Sequence, residues 1–123
     1  PTAVLLTRGD RYAAELLEEL RERTPGIQIL CAGKLPSGTA EKLSLRDALT
    51  PAERRGRGNA YARGGWWLHD RILTDTTLTV IRADVFARRD LLDPRSGTPL
   101  PTYRRQRYTG GIGRYFPIFL YIK

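Results

Sequence analysis

The chain reads as an α+β fold: a β-α-β unit at the N-terminus, then short helices and an antiparallel sheet that ends in a basic hairpin. Three observations carry this expectation. Residues 3–32 alternate a short apolar run, a helix-period segment and a second apolar run. The middle third is broken repeatedly by Gly, Pro and Thr into pieces too short for long helices. The last 23 residues hold four arginines, one lysine and no acidic residue, interleaved with aromatics and three glycines.

Ala3 to Thr7 reads as a buried strand, and Arg8-Gly9-Asp10 turns out of it. Asp10 caps a helix over Arg11 to Arg23, in which Tyr12, Ala13, Leu16, Leu17 and Leu20 share one face at 3.6-residue spacing. Thr24-Pro25-Gly26 stops it, and Ile27 to Ala32 returns as a second strand carrying Cys31 as a small apolar residue. Gly33 to Thr39 superficially suggests a phosphate loop. A Walker A needs a glycine where Gln28 stands and Ser or Thr where Leu35 stands, so the stretch reads as an exposed loop whose Lys34 and Ser37-Gly38-Thr39 amides are within reach of a phosphate.

Ser44 caps a helical turn to Leu49, and Thr50-Pro51-Ala52-Glu53 has the hydroxyl, proline and glutamate of a helix start. Arg54-Arg55-Gly56-Arg57-Gly58 follows as a flexible basic loop, extended by Tyr61 and Arg63. Trp66 to Leu73 alternates as one strand, and Leu78 to Ile81 returns antiparallel to it. That strand is expected to end near Arg82, before a short helix. Asp93 to Pro101 is a loop. The final hairpin pairs Thr102–Thr109 with Ile112–Ile122 across Gly110-Gly111, with Pro117 at an edge or bulge. With 123 residues and no repeat, low-complexity tract or clear boundary, residues 1–123 read as a single domain.

Charge is lopsided. Residues 1–53 carry seven basic and eight acidic side chains, whereas residues 54–123 carry fourteen and five, so the net charge of +8 belongs to the second part. Eighteen of the 21 basic residues are arginine, whose planar fork suits phosphate and carboxylate and stacks on rings. No stretch approaches the ~20 apolar residues of a membrane span, and one cysteine excludes an internal disulfide. A cytoplasmic chain without a membrane partner is the expectation, with oligomeric state left open.

These features point to a partner that is a polyanion, RNA before DNA, because glycine- and aromatic-interleaved arginine suits unpaired bases. Arg54, Arg55, Arg57, Arg63, Tyr103, Arg104, Arg105, Arg107, Arg114 and Tyr115 are the candidate contacts. One histidine and one cysteine exclude a zinc site of those ligands. The His69-Asp70 pair lacks the further histidines of metal-dependent HD phosphohydrolases, and Gly111-Ile112-Gly113 lacks the third glycine of a dinucleotide fingerprint. No metal or cofactor is assigned. Metal-independent cleavage of RNA, as in small toxin-type ribonucleases, needs a proton donor, an acceptor and cations. His69, Asp70, Arg71 and Tyr108 are the candidates.

Two alternatives stand beside this reading. The basic face suits docking of an acidic protein partner. Alternatively, the chain is a small lyase or tautomerase-like enzyme for a carboxylated metabolite, with an arginine-lined pocket walled by Trp66, Trp67 and Phe119. Pro1, a short strand, Arg11 near a helix start and a return strand resemble the opening of the tautomerase superfamily. That resemblance covers about 30 residues and implies Pro1 as general base; the helix is a turn or two shorter than the family's, and no second copy of the unit follows.

Overall fold

A computed structural model of the chain describes residues 1–49, 58–109, 111 and 113–123. The fold is mixed α+β, as the sequence leads one to expect. It comprises two compact units interleaved along the sequence: one of Pro1–Thr50, Asp70–Arg82 and Leu120–Lys123, the other of Pro51–His69 and Ala83–Phe119.

The first unit contains the β-α-β element. Strand β1 (Thr2–Arg8) and strand β2 (Gln28–Lys34) pair in parallel, Thr2 opposite Gln28 through Arg8 opposite Lys34. Helix α1 (Arg11–Arg23) connects them, as parallel strands require a crossover. The Asp10 carboxylate accepts the Ala13 N–H at 3.0 Å, satisfying one of the first-turn donors. Arg21 and Arg23 in the last turn complement the helix dipole. The buried face of α1 is narrower than its sequence period indicates: Ala13 and Leu17 are buried and Leu20 packs on the core, while Tyr12 and Leu16 are 66% and 43% exposed.

Helix α2 (Thr39–Lys42) is a single turn, and Ser44 after it takes a left-handed φ of 55° into strand β3 (Leu45–Asp47). The helical turn expected over 44–49 is therefore replaced by a strand, because Leu45 is buried in the core and its segment pairs antiparallel with a later strand. Before that strand come β4 (Ala60–Ala62) and β5 (Gly65–Trp67), which belong to the second unit. The later strand is β6 (Ile72–Asp75), and the sheet runs β1-β2-β6-β3. Its core gathers Leu17, Ile27, Ile29, Cys31, Leu43, Leu45 and Leu73. Burying a side chain such as Leu17 completely contributes about 1.5–3 kcal/mol. Cys31 is fully buried, and burial pushes its thiol pKa up, which fits an apolar role.

Asp75 on β6 is the main polar anchor of this unit. Its carboxylate accepts the Arg21 guanidinium, the Thr77 N–H at 3.0 Å and the Thr77 hydroxyl at 2.9 Å. Burial pushes its pKa upward, but the Thr77 bonds, the Arg21 charge and the Ile29 N–H outweigh it and hold the carboxyl below its usual range.

Strand β7 (Val80–Val85) pairs with β10 (Ile118–Ile122) rather than with β6; between them in sequence lie β8 (Tyr103–Arg104) and β9 (Arg107–Tyr108). β7 also runs past Arg82, where a helix was expected, and only a 3-10 turn over Arg89–Leu91 follows. Pro117 precedes β10, so its missing N–H falls outside that strand, and its carbonyl accepts the Phe86 N–H at 2.7 Å. The long terminal hairpin is likewise replaced. Tyr103–Arg104 pairs with Arg107–Tyr108 in a two-residue turn at Arg105-Gln106, both at positive φ (50° and 67°). The helix start at Thr50 to Glu53 lies outside the described residues, as do Gly110 and Ile112.

Candidate nucleic-acid interface

The second unit is built around Asn59, which is wholly buried. Its side-chain amide donates to the Phe116 carbonyl at 3.0 Å, and its side-chain oxygen accepts the His69 N–H at 2.7 Å. Its backbone carbonyl accepts the Phe116 N–H at 2.7 Å. One side chain thereby fixes the entry to β4, the exit from β5 and the segment 115–116. These two strands form a hairpin that turns at Arg63-Gly64, both at positive φ (52° and 79°), the backbone of a two-residue primed turn. Gly58 admits no side chain, because a Cβ there would lie 2.0 Å from the Trp67 carbonyl oxygen.

Because His69 N–H is diverted to Asn59, the stretch 66–73 does not continue as one strand. It is cut into β5 and β6, which belong to different sheets. What β5 gains is an aromatic cluster. Trp66 stacks on the buried Phe116 (centroids 5.8 Å, 23°) and meets the edge of Tyr61 at 5.3 Å. His69 stacks on Tyr115 at 4.0 Å and 10°, with Trp67 edge-on at 4.9 Å. Tyr61, Trp67 and Tyr115 remain about 40% exposed, so the cluster presents ring surface to solvent.

A second aromatic feature lies on the β8–β9 hairpin. Tyr103 and Tyr108 face each other across the strands, edge to face at 5.7 Å, and are 63% and 67% exposed. The hairpin is fastened at its base. Arg104 donates to the Asp93 carboxylate, whose other oxygen accepts the Arg95 N–H at 2.9 Å. Thr109 N–H closes the ends on the Thr102 carbonyl at 3.0 Å, and the Thr109 hydroxyl donates to the Pro101 carbonyl. The Arg104 hydrogen bond is the foremost reason that Asp93 is held below the usual carboxylate range; the Arg95 N–H adds to it.

Four of the arginines singled out by sequence, Arg63, Arg105, Arg107 and Arg114, are exposed and make no ion pair among the described residues. Arg105 lies in the turn of the tyrosine hairpin and Arg107 follows it, Arg63 sits in the β4–β5 turn, and Arg114 precedes Tyr115. Arg104 is the exception, committed to Asp93. Arg54, Arg55 and Arg57 lie outside the described residues.

The residues nominated for cleavage are less closely associated. No hydrogen bond or ring contact among the described residues joins Tyr108 to His69. Asp70 and Arg71 belong to the first unit, where Arg71 bonds Asp47 at 3.1 Å. His69 Nδ1 is buried without a hydrogen-bond partner among the described residues, so that nitrogen is shielded from a substrate as well as from solvent. As for Pro1 and Arg11, the expected β-α-β unit forms, but the seven residues of β1 separate them by about 23 Å at ~3.3 Å per residue, so one chain does not bring both to a small substrate.

Asn59 and Asp93 were not singled out by sequence. Each sits among turn-forming residues (Gly58-Asn59 and Asp93-Pro94), where Asn and Asp are commonplace, so only the tertiary partners disclose their roles. No family model matches the chain, and neither a curated protein nor a solved structure matches it significantly.

Proposed function

We propose that the second unit binds single-stranded nucleic acid, RNA by preference, by stacking unpaired bases on exposed tyrosines beside exposed arginines. The observation that carries this reading is the Tyr103–Tyr108 pair. Two rings are held more than 60% exposed on a hairpin fastened at its base by the Arg104–Asp93 bond, with the exposed Arg105 and Arg107, which make no ion pair among the described residues, at its tip. Large aromatic rings left in water on a fixed support are a weak choice for stability and a strong one for recognition, since every base offers a π-face. Trp67, Tyr115, Arg63 and Arg114 supply the same combination on the β4–β5 side of the unit.

The activity supported is binding rather than cleavage. His69 is stacked on Tyr115 and in edge contact with Trp67, and its Nδ1 is shielded. The test compares labelled single-stranded RNA with the corresponding duplex at low salt in the presence of a chelator. Preference for the single strand, with the RNA recovered intact, is the expected result. Equal binding of the duplex overturns base stacking, and absence of binding overturns the polyanion reading altogether.

A further inference from the structure

The first unit carries a cleft with a volume of ≈520 Å³ at one end of its sheet, within the size range of small-molecule sites. Its lining includes Gly33, Lys34, Leu35, Gly38, Arg71 and Leu73. The end in question is where the parallel pair β1–β2 terminates, the side on which open α/β sheets commonly take ligands. β6 begins beside it, with the Gly33 N–H donating to the Arg71 carbonyl at 2.8 Å.

Three cations gather at this end, two from the adjacent strands β1 and β2 and the third, Arg71, from the residue before β6. Arg8 and Lys34 are direct register partners on β1 and β2, both exposed, and neither makes an ion pair among the described residues. Like charges directly opposite on neighbouring strands are destabilising. Arg71 is partly neutralised by Asp47 at 3.1 Å. With Arg8 counted, this end of the sheet sets three cations, Arg8, Lys34 and Arg71, against two carboxylates, Asp47 and Glu41, and Lys34 and Arg71 line the cleft itself. Leu35, Ala40 and Leu73 add apolar surface. The backbone is fixed here as well: Gly33 has φ +120° and a Cβ would fall 2.0 Å from the Thr7 carbonyl oxygen. An excess of one positive charge over an apolar floor matches a particular ligand chemistry.

We infer that this cleft binds a small molecule with an apolar body and a single anionic head group, a carboxylate or a phosphate monoester, held by Lys34 and Arg71. The inference does not rest on the nucleic-acid reading, because every residue of the cleft belongs to the first unit. The test titrates the full chain with benzoate, phenyl phosphate and, as the uncharged control, benzyl alcohol, to about 10 mM, following backbone amide shifts by NMR. Saturable shifts confined to Gly33–Glu41 and the start of β6, with benzyl alcohol at least about tenfold weaker, are expected for a charge-assisted contact. Whichever anion binds more tightly identifies the head group. Lys34 is exposed and makes no ion pair among the described residues, so Lys34→Gln leaves the fold unchanged and weakens the preferred anion by about tenfold. Absence of saturable shifts in this region with both anions overturns the inference. So does equal binding of benzyl alcohol, or undiminished binding by Lys34→Gln. Shifts that instead centre on Tyr103–Tyr108 place the anions on the hairpin and overturn it too.

Discussion

Replacing both hairpin tyrosines, Tyr103→Ala with Tyr108→Ala, separates the stacking part of binding from the electrostatic part. The rings are 63% and 67% exposed, and what the fold loses is their cross-strand contact, about 0.2–1 kcal/mol. What binding loses is base stacking, about 1–3 kcal/mol per ring. The rings touch each other at 5.7 Å, so the two losses are not independent. A combined loss of about 2–4 kcal/mol follows, or on the order of 30- to 1,000-fold in Kd. Fluorescence anisotropy of a short labelled pyrimidine RNA, repeated between about 50 and 200 mM salt, reads both quantities. The tyrosine variant lowers affinity and leaves the slope of log K against log salt unchanged. Arg105→Ala with Arg107→Ala does the converse, flattening the slope by about 1.4 as two phosphate contacts at ~0.7 each are lost. A tyrosine variant that binds within about twofold of the parent refutes stacking, and an unaltered slope in the arginine variant refutes phosphate contact at the hairpin tip.

Other consequences concern the fold. Asp75→Ala removes the acceptor for Arg21 and Thr77 and leaves a half-buried guanidinium unpaired; urea unfolding is expected to record a loss of about 3 kcal/mol, and a change below about 1 kcal/mol counts against Asp75 as the anchor. Acid acts on the same bonds. The native pKa values of Asp75 and Asp93 are both depressed, so the unfolded chain takes up their protons first as pH falls. Their contribution is present above the unfolded aspartate value of about 3.9 and is lost as pH drops below it. Thermal melting is expected to be level from about pH 6 to 5 and to fall steeply below about 4, less steeply in Asp93→Asn; a melting temperature indifferent to pH in that window contradicts the assignment.

The β-α-β element was legible because its signals are local. Asp10 caps, the 3.6-residue period runs through Ala13, Leu17 and Leu20, and Pro25-Gly26 stops the helix, all within one stretch. The later strands were not legible in their pairing. They are two to six residues long, and which neighbour each takes depends on contacts remote in sequence. The stretch over 66–73 reads as one strand flanked by glycine and a threonine-rich turn, yet a single hydrogen bond from His69 N–H to Asn59 ends the strand. The turn at Arg105-Gln106 has positive φ at both residues without glycine or asparagine, so no turn signature announced it, whereas Gly110-Gly111 drew the expectation to the wrong place. The candidate site was partly legible for a related reason. Composition identified the arginines and tyrosines, but only the fold separates Arg104, committed to Asp93, from Arg105 and Arg107, which make no ion pair among the described residues.

The position of Asn59 also bears on the order in which the chain assembles. Its bonds reach His69, ten residues away, and Phe116, 57 residues away. Closing the longer loop costs about 1.5 kcal/mol more in chain entropy than closing the shorter. β1 and β2, by contrast, meet across 26 residues already shortened by a helix between them. The aromatic cluster is therefore the late-forming part of the molecule, and a nascent chain cannot complete it until residue 116 has emerged. Pulsed hydrogen exchange during refolding is expected to protect the β2 amides before those of Phe116 and His69, and the reverse order would contradict this sequence of events.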